Sequence, residues 1–254
     1  MSIRSKKEIQ RELLVPYPNN LENKLLQKVR QEFQLDSIID QKESDFRNIL
    51  NLRFWIYSNL DKNGNTFAES EKHPKYLADI TKKENFHISE YSSLSKLFLQ
   101  ALGYTARKVK LQNPGSFSKK DSFTHFLYEV YLNDLKKWFF IDQQYDIIIT
   151  KDGIPLNAVE LQLAFINEEE LEVINPLKKT SSEEYLELVG PYLYYFSTDL
   201  NGKYNFITRF LRSKTKLILV PQYEDFPLPK NNLPKSRSSI ITSTISDFYP
   251  ALDN

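Results

Sequence analysis

A helix followed by three strands, the last two of them aromatic-rich, constrains the fold of this chain more than any other part of its sequence. Residues 88–102 are predicted to be helical because apolar positions recur at helical spacing and Gly103 supplies a C-terminal stop. Three strands rich in aromatic and β-branched residues follow, at 104–111, 124–132 and 136–142. Since helices precede strands in blocks, we expect an α+β fold in which N-terminal helices pack on an antiparallel sheet.

The last two of these strands are predicted to form a hairpin with a two-residue turn at 133–134. That turn pairs Leu132 with Leu135 and places His125 directly opposite Asp142. Opposed side chains lie roughly 5 Å apart at Cβ, within reach of an imidazole–carboxylate hydrogen bond. Such a carboxylate would fix the histidine tautomer and raise its basicity. The alternative is a packing histidine and an aspartate that caps its strand.

Periodicity predicts further elements around this block, and they suggest how the chain is organised. The expected helices are 20–34, 44–60 and 157–170, and the expected strands are 146–149, 191–198 and 216–221. Weak periodicity with Pro, Asn and Ser then predicts a tail that lies on the domain or is loosely held. We therefore expect a helical segment at 1–40, a main domain at 41–221 with its core motifs at 88–146, and a tail at 222–254.

Composition argues against several classes of protein. The chain has 254 residues, 41% of them hydrophobic, which is enough for a sizeable core. A net charge of +1 does not favour a nucleic-acid or acidic-membrane partner. No apolar run approaches the roughly 18 residues of a membrane span, and the N-terminus lacks the apolar region of a secretory signal. We expect a soluble cytoplasmic protein, with its oligomeric state left open.

The chain contains no cysteine, which removes disulfides, thiolate metal sites and thiol nucleophiles. Three scattered histidines and no phosphate-loop string leave no expected metal or other cofactor. The string DKNGN at 61–65 resembles the start of a calcium loop, but Lys72 stands at its last ligand position, so a plain turn is favoured. Basic residues over 209–216 could contact phosphate, although a solvated surface is the simpler interpretation.

Three strings occur in a characteristic order, namely ISEYSSLSKLFLQALGYTARKV, THFLYEVYL and KKWFFIDQQYD. In this order and spacing, residues 88–146 resemble the core of the bacterial transglutaminase-like domain, which has the papain-type cysteine-protease fold. The upstream string SDFRNILNLRFWIYSNL resembles the tryptophan-bearing helix that precedes this core in many members. The resemblance covers about 100 residues and leaves 150–254 unaccounted for.

The resemblance implies that His125 and Asp142 are the family's catalytic histidine and aspartate, and that Ile88 stands where the family has its cysteine. In active relatives the cysteine lies at a helix N-terminus as a thiolate and attacks an acyl carbonyl. The histidine transfers the proton, and the aspartate orients the histidine. Isoleucine has neither a lone pair nor a proton to give, and losing a nucleophile typically costs about 10⁴- to 10⁶-fold in rate.

Neighbouring side chains are poor substitutes for the missing nucleophile. Ser89 is rotated by about 100° around the helix relative to Ile88. Ser92 faces the same way as Ile88, but a serine hydroxyl needs much stronger activation than a thiol. His87 could act as a second acid or base, although a loop histidine before a helix is the simpler interpretation.

Three functions remain open from the sequence. The first is a degenerate transglutaminase-like protein, a pseudoenzyme that binds a polypeptide or acyl-bearing ligand in the former cleft without cleaving it. The second is an enzyme in which His125 and Asp142 perform acid–base chemistry on a small amide or peptide without a cysteine nucleophile. The third is a structural scaffold with a vestigial cleft. We expect no activity that depends on a cysteine.

Overall fold

The computed structural model describes residues 24–59, 88–113, 124–175, 180–199, 216–220 and 239–252. The side chains of residues 25, 57–59 and 88–93 are outside this description. The loop at 61–65, His87 and the basic stretch at 209–215 also lie outside the described residues, and the predictions made for them stay predictions.

The described residues form an α+β fold. The helices are α1 (Lys24–Glu32), α2 (Asp45–Asn59), α3 (Ile88–Ala101), α4 (Ala158–Ile166), α5 (Ser182–Val189) and α6 (Ile245–Phe248). The strands are β1 (Ala106–Gln112), β2 (Thr124–Leu132), β3 (Lys137–Ile141), β4 (Ile148–Lys151), β5 (Ile154–Pro155), β6 (Glu172–Ile174), β7 (Tyr195–Asp199), β8 (Lys216–Leu219) and β9 (Ser239–Thr242).

Six strands form the main sheet in the order β3-β2-β1-β7-β8-β9. The pairs from β3 to β8 are antiparallel, but β8 and β9 are parallel. The expectation of an antiparallel sheet is therefore wrong at its last strand, and the sheet is mixed. A parallel pair needs a crossover of a dozen or more residues, which the segment between Leu219 and Ser239 is long enough to provide. Strands β5, β4 and β6 form a second, three-stranded sheet.

Part of the predicted tail belongs to the main sheet. Strand β9 pairs with β8, Ile240 is buried, and α6 follows with Phe248 fully buried. A four-residue strand and a one-turn helix are too short to give a clear hydrophobic period, which explains why the sequence predicted neither.

The main sheet separates two hydrophobic cores. Helices α1, α2 and α3 pack on one face, here called the N-terminal face, against residues such as Val130 and Phe139. Helices α4, α5 and α6 pack on the opposite face, here called the C-terminal face, against residues such as Leu127 and Phe140. Because successive strand residues point to opposite faces, the odd-numbered positions of β2 belong to the C-terminal face.

Gly103 ends α3, as its sequence position predicts. Its φ of 94° is one that side chains disfavour, and its N–H donates to Gln100 while that of Tyr104 donates to Leu99. Four residues, 102–105, then separate α3 from β1. Among the described residues, no helix is both long enough and apolar enough to cross a membrane.

Candidate functional site

The hairpin that carries the candidate site has a longer loop than predicted. Its turn spans residues 133–136, and Leu132 pairs with Lys137, so the predicted pairing of Leu132 with Leu135 is wrong. Two-residue hairpin turns require positive φ at both central positions in type I′ and at the first in type II′, and the Asn-Asp pair lacks the glycine that favours either type. Lys136 takes the positive φ instead, at 51°.

The change in register leaves His125 and Asp142 on the same face. A shift of two residues preserves the side-chain alternation, so both still belong to the C-terminal face, although they are no longer directly opposed. Asp142 lies just past the end of β3, where it forms an isolated bridge with Ile147. His125 Nε2 is 2.6 Å from Asp142 Oδ2, a hydrogen-bond distance.

The Asp142 carboxylate accepts hydrogen bonds from four donors. Oδ2 accepts from His125 Nε2 and from the Tyr185 hydroxyl at 2.8 Å. Oδ1 accepts from the backbone N–H groups of Gln144 at 3.0 Å and Tyr145 at 3.4 Å. Because an ionised carboxylate only accepts, the histidine contact requires a proton on Nε2. The carboxylate is fully buried, so these donors replace water as its solvation.

Tyr185 comes from α5, a helix that the sequence analysis did not predict. Ser181 and Glu184 form a reciprocal capping box at the start of α5, in which each side chain accepts from the other residue's backbone N–H. The Ser-x-x-Glu spacing was the available signal for this helix. Burial, and next the nearby Asp142 charge, raise the pKa of Tyr185 well above its ordinary value, so its hydroxyl keeps the proton that it donates.

Two aromatic rings enclose the imidazole of His125. The Tyr145 ring is stacked with it at 5.7 Å between centroids, and Tyr192 lies 6.0 Å away in a tilted arrangement. His125 is 5% exposed. Burial, followed by the charge of Asp142, raises the pKa of Tyr145. Since Nε2 is engaged by Asp142, Nδ1 is the ring nitrogen left for a substrate or ligand that reaches this edge.

A buried ion pair fixes the turn that follows Asp142. Arg53 of α2 donates from Nε to Asp146 Oδ1 at 2.7 Å, and its Nη2 donates to the Asp146 backbone carbonyl. Asp146 has a φ of 58°, and both residues are buried. This contact ties the 143–146 turn to the N-terminal helices, and nothing in the sequence pattern predicts it.

Helix α3 begins at Ile88, the position of the missing cysteine in the resemblance. The described apolar side chains of α3, such as Phe98, pack on the N-terminal face, whereas His125 and Asp142 belong to the C-terminal face. Helix α3 is joined by residues 102–105 to β1, the strand that pairs with the His125-bearing strand β2. The structure thus brings His125 and Asp142 together, while the side chain of Ile88 lies outside the description.

No group of three or more His, Cys, Asp or Glu residues with the geometry of a metal site occurs within the described ranges. The chemistry that the site can perform is proton transfer at an imidazole oriented by a carboxylate. The site contains no thiol that could attack a carbonyl, because the chain has no cysteine.

No protein-family model matches this chain, and no curated protein matches it. A solved structure described as "a Putative Cysteine Protease from Cytophaga hutchinsonii" is similar over 57% of this chain, at 19% sequence identity and a TM-score of 0.32. This chain spans less than half of that protein, covering 44% of its length. The two chains therefore share no more than a distant likeness.

Proposed function

We propose that this chain is a transglutaminase-like pseudoenzyme that binds a polypeptide or acyl-bearing ligand without covalent chemistry. One observation carries the proposal: a hydrogen-bonded His125–Asp142 dyad, 2.6 Å between Nε2 and Oδ2, stands in a chain that contains no cysteine. The dyad can orient and exchange a proton, but acyl transfer of this type also needs a nucleophile.

The burial of the dyad supports a positioning role. Asp142 is fully buried and holds its four donors from a strand, a turn and a helix, so it links three parts of the fold. Removing a buried acceptor of this kind leaves several donors unpaired, which is costly even when no reaction depends on it. Stability alone therefore gives a reason to retain both residues after loss of the nucleophile.

The proposal is tested by recovering peptides from a library after incubation with the purified chain. We expect a subset to be retained and to be recovered with unchanged mass. The matched variants are His125→Gln, which changes the dyad, and Lys28→Gln, which changes an exposed residue of α1. Cleavage, deamidation or cross-linking of peptides that disappears in His125→Gln but persists in Lys28→Gln would contradict the proposal.

A second candidate function is acid–base catalysis by the dyad itself. It is favoured because Asp142 binds only the Nε2 atom of His125, which leaves Nδ1 for a substrate. This function predicts that Asp142→Asn lowers a rate on a small amide or peptide, in addition to the loss of stability expected from removing this buried acceptor. The pseudoenzyme predicts the same loss of stability with no rate to lose. A vestigial scaffold predicts a third result. Substituting Tyr145 or Tyr192 beside His125 would then leave peptide binding unchanged.

A further inference from the structure

An open groove of about 740 Å³ lies between the end of helix α4 and helix α5, and it is here called the α4–α5 groove. Its floor is apolar and includes Phe165, Leu186 and Tyr194. The Phe165 ring is 41% exposed and packs against Gly190, where an added Cβ atom would lie 3.0 Å from the ring. A concave surface of this size with an exposed aromatic ring is typical of sites that hold a ligand.

The rim of the α4–α5 groove is acidic. It is lined by Glu168, Glu169, Glu170, Glu183 and Glu187. Glu169 is paired with Lys151, at 2.7 Å between Oε2 and Nζ, whereas the other four glutamates are exposed. Among the described residues that line the groove there is no lysine, arginine or histidine. The exposed carboxylates therefore present negative charge to a molecule that enters the groove.

The stability of the two helices does not explain most of these charges. Glu168, Glu169 and Glu170 closely follow the C-terminal end of α4, and Glu187 lies in the last turn of α5. The C-terminal end of a helix carries partial negative charge, so acidic side chains are disfavoured there. Neither helix has a basic residue in its last turn that would offset them. The glutamates at these helix ends are therefore better explained by contact with a cationic partner than by folding.

The acidic character extends along the chain on both sides of the groove. Residues 152–175 and 180–190 contain nine Asp and Glu residues and no Lys or Arg, although the net charge of the chain is +1. These carboxylates form no group with the geometry of a metal site within the described ranges. Because the floor is apolar and the rim is anionic, the groove is complementary to a segment that carries both apolar and cationic side chains.

We propose that the α4–α5 groove binds a segment of another protein in which lysine or arginine residues flank a bulky apolar side chain. The apolar side chain contacts the Phe165 ring and Leu186 on the floor, and the flanking cations pair with the exposed glutamates of the rim. An aromatic floor also suits a cation, since an ammonium or guanidinium group is attracted to the face of an aromatic ring.

This site goes beyond the proposed function, because it lies on a different side of α5 from the dyad. Tyr185 points to Asp142 and donates to its carboxylate. Glu183 and Glu187 lie two residues before and after Tyr185, which places both about 160° around the helix from it. Loss of binding at the groove therefore leaves the His125–Asp142 dyad intact, and the two proposals are tested separately.

The test measures binding of a fluorescent peptide, GKKLFKKG, to the full-length chain by fluorescence anisotropy. We expect binding that weakens at least about fivefold when NaCl is raised from about 50 to about 300 mM, because the paired charges are exposed. The double variant Glu183→Lys, Glu187→Lys should weaken binding at least about tenfold, and so should Phe165→Ala. Glu32→Lys, which changes an exposed glutamate of α1, is the matched control and should bind as the unaltered chain does.

The peptide GKKAAKKG separates a groove from simple charge attraction, and it should bind at least about tenfold more weakly than GKKLFKKG. Equal binding of the two peptides, equal binding by the unaltered chain and the double variant, or binding to none of the chains would overturn the proposal. The double variant changes only exposed residues, so it decides the matter if Phe165→Ala does not fold. Binding that appears only after Arg209 and Arg212 are changed to glutamine would assign the groove to the chain's own basic stretch and contradict an external partner.

Discussion

His125 Nε2 and the Tyr185 hydroxyl share one acceptor, Oδ2 of Asp142, at 2.6 Å and 2.8 Å. The first donor comes from a strand and the second from a helix that packs on the same face, so the carboxylate connects both elements. A buried carboxylate destabilises the folded state strongly when its hydrogen-bond donors are removed. Asp142 is therefore the most informative residue to change.

Asp142→Asn should lower the free energy of unfolding by about 1–3 kcal/mol, because the amide presents donors to His125 and Tyr185 in place of a charged acceptor. Urea denaturation monitored by circular dichroism measures this change. Asp152→Asn, at an exposed turn position, is the matched control and should stay within about 0.5 kcal/mol of the parent. Unchanged stability would contradict the role of Asp142 as a buried acceptor, whereas loss of a measurable rate would favour the acid–base enzyme.

Tyr185→Phe should alter the dependence of stability on alkaline pH. The pKa of Tyr185 is raised in the folded state, so the stabilisation of its neutral hydroxyl is complete below its ordinary pKa of 10.0 and is lost as pH rises above it. In that range the unfolded state loses the proton first, and stability falls by up to about 1.4 kcal/mol per pH unit from this residue. Urea midpoints from pH 9 to 11.5 should therefore fall less steeply in Tyr185→Phe.

Leu188→Ala serves as the control for that titration, because Leu188 is exposed on the same helix as Tyr185 and carries no ionisable group. Its alkaline slope should match that of the parent. Identical slopes in the Tyr185 variant and the parent would show that Tyr185 ionises without linkage to folding.

Breaking the buried Arg53–Asp146 pair should be far more costly than breaking an exposed one. Arg53→Met leaves the buried Asp146 carboxylate without its guanidinium partner, and we expect a loss of about 3–5 kcal/mol. Asp36→Asn breaks the exposed Arg30–Asp36 pair, for which about 0–1 kcal/mol is expected. Chemical denaturation compares the two variants, and similar losses would contradict the anchoring role assigned to Arg53.

Gly103→Ala should destabilise the chain by about 1–2 kcal/mol, because its φ of 94° disfavours any side chain. Gly103→Asn should cost less, since asparagine tolerates positive φ better than alanine does. Thermal melts of both variants provide the comparison. Equal melting temperatures for Gly103→Ala and the parent would mean that the end of α3 does not depend on this conformation.

The predictable part of the site followed from local periodicity. Gly103 marks the end of α3 because few residues adopt its φ, and the alternation of strand side chains places His125 and Asp142 on one face for any even loop length. The exact pairing was not predictable, because the four-residue loop is held by a tertiary contact. Asp45 of α2 accepts from the Asn133 N–H at 2.7 Å, while its own N–H donates to Asp134 at 2.9 Å.

The features that the sequence did not predict depend on contacts between segments that are far apart along the chain. Tyr185 lies 43 residues from Asp142 and Phe248 lies 141 residues from Arg107 along the chain. Local sequence patterns cannot specify partners at these separations. The parallel pairing of β9 depends in the same way on a long crossover that carries no pairing signal of its own.

The central claim, that Ile88 occupies a nucleophile position beside an intact dyad, is tested most directly by Ile88→Cys. The measurement is the rate of iodoacetamide alkylation from pH 5 to 10, with and without the additional change His125→Ala. The account predicts a thiol pKa clearly below the ordinary value of about 8.5, and its return toward that value in the double variant. A thiol that titrates near 8.5 in both backgrounds would contradict the account.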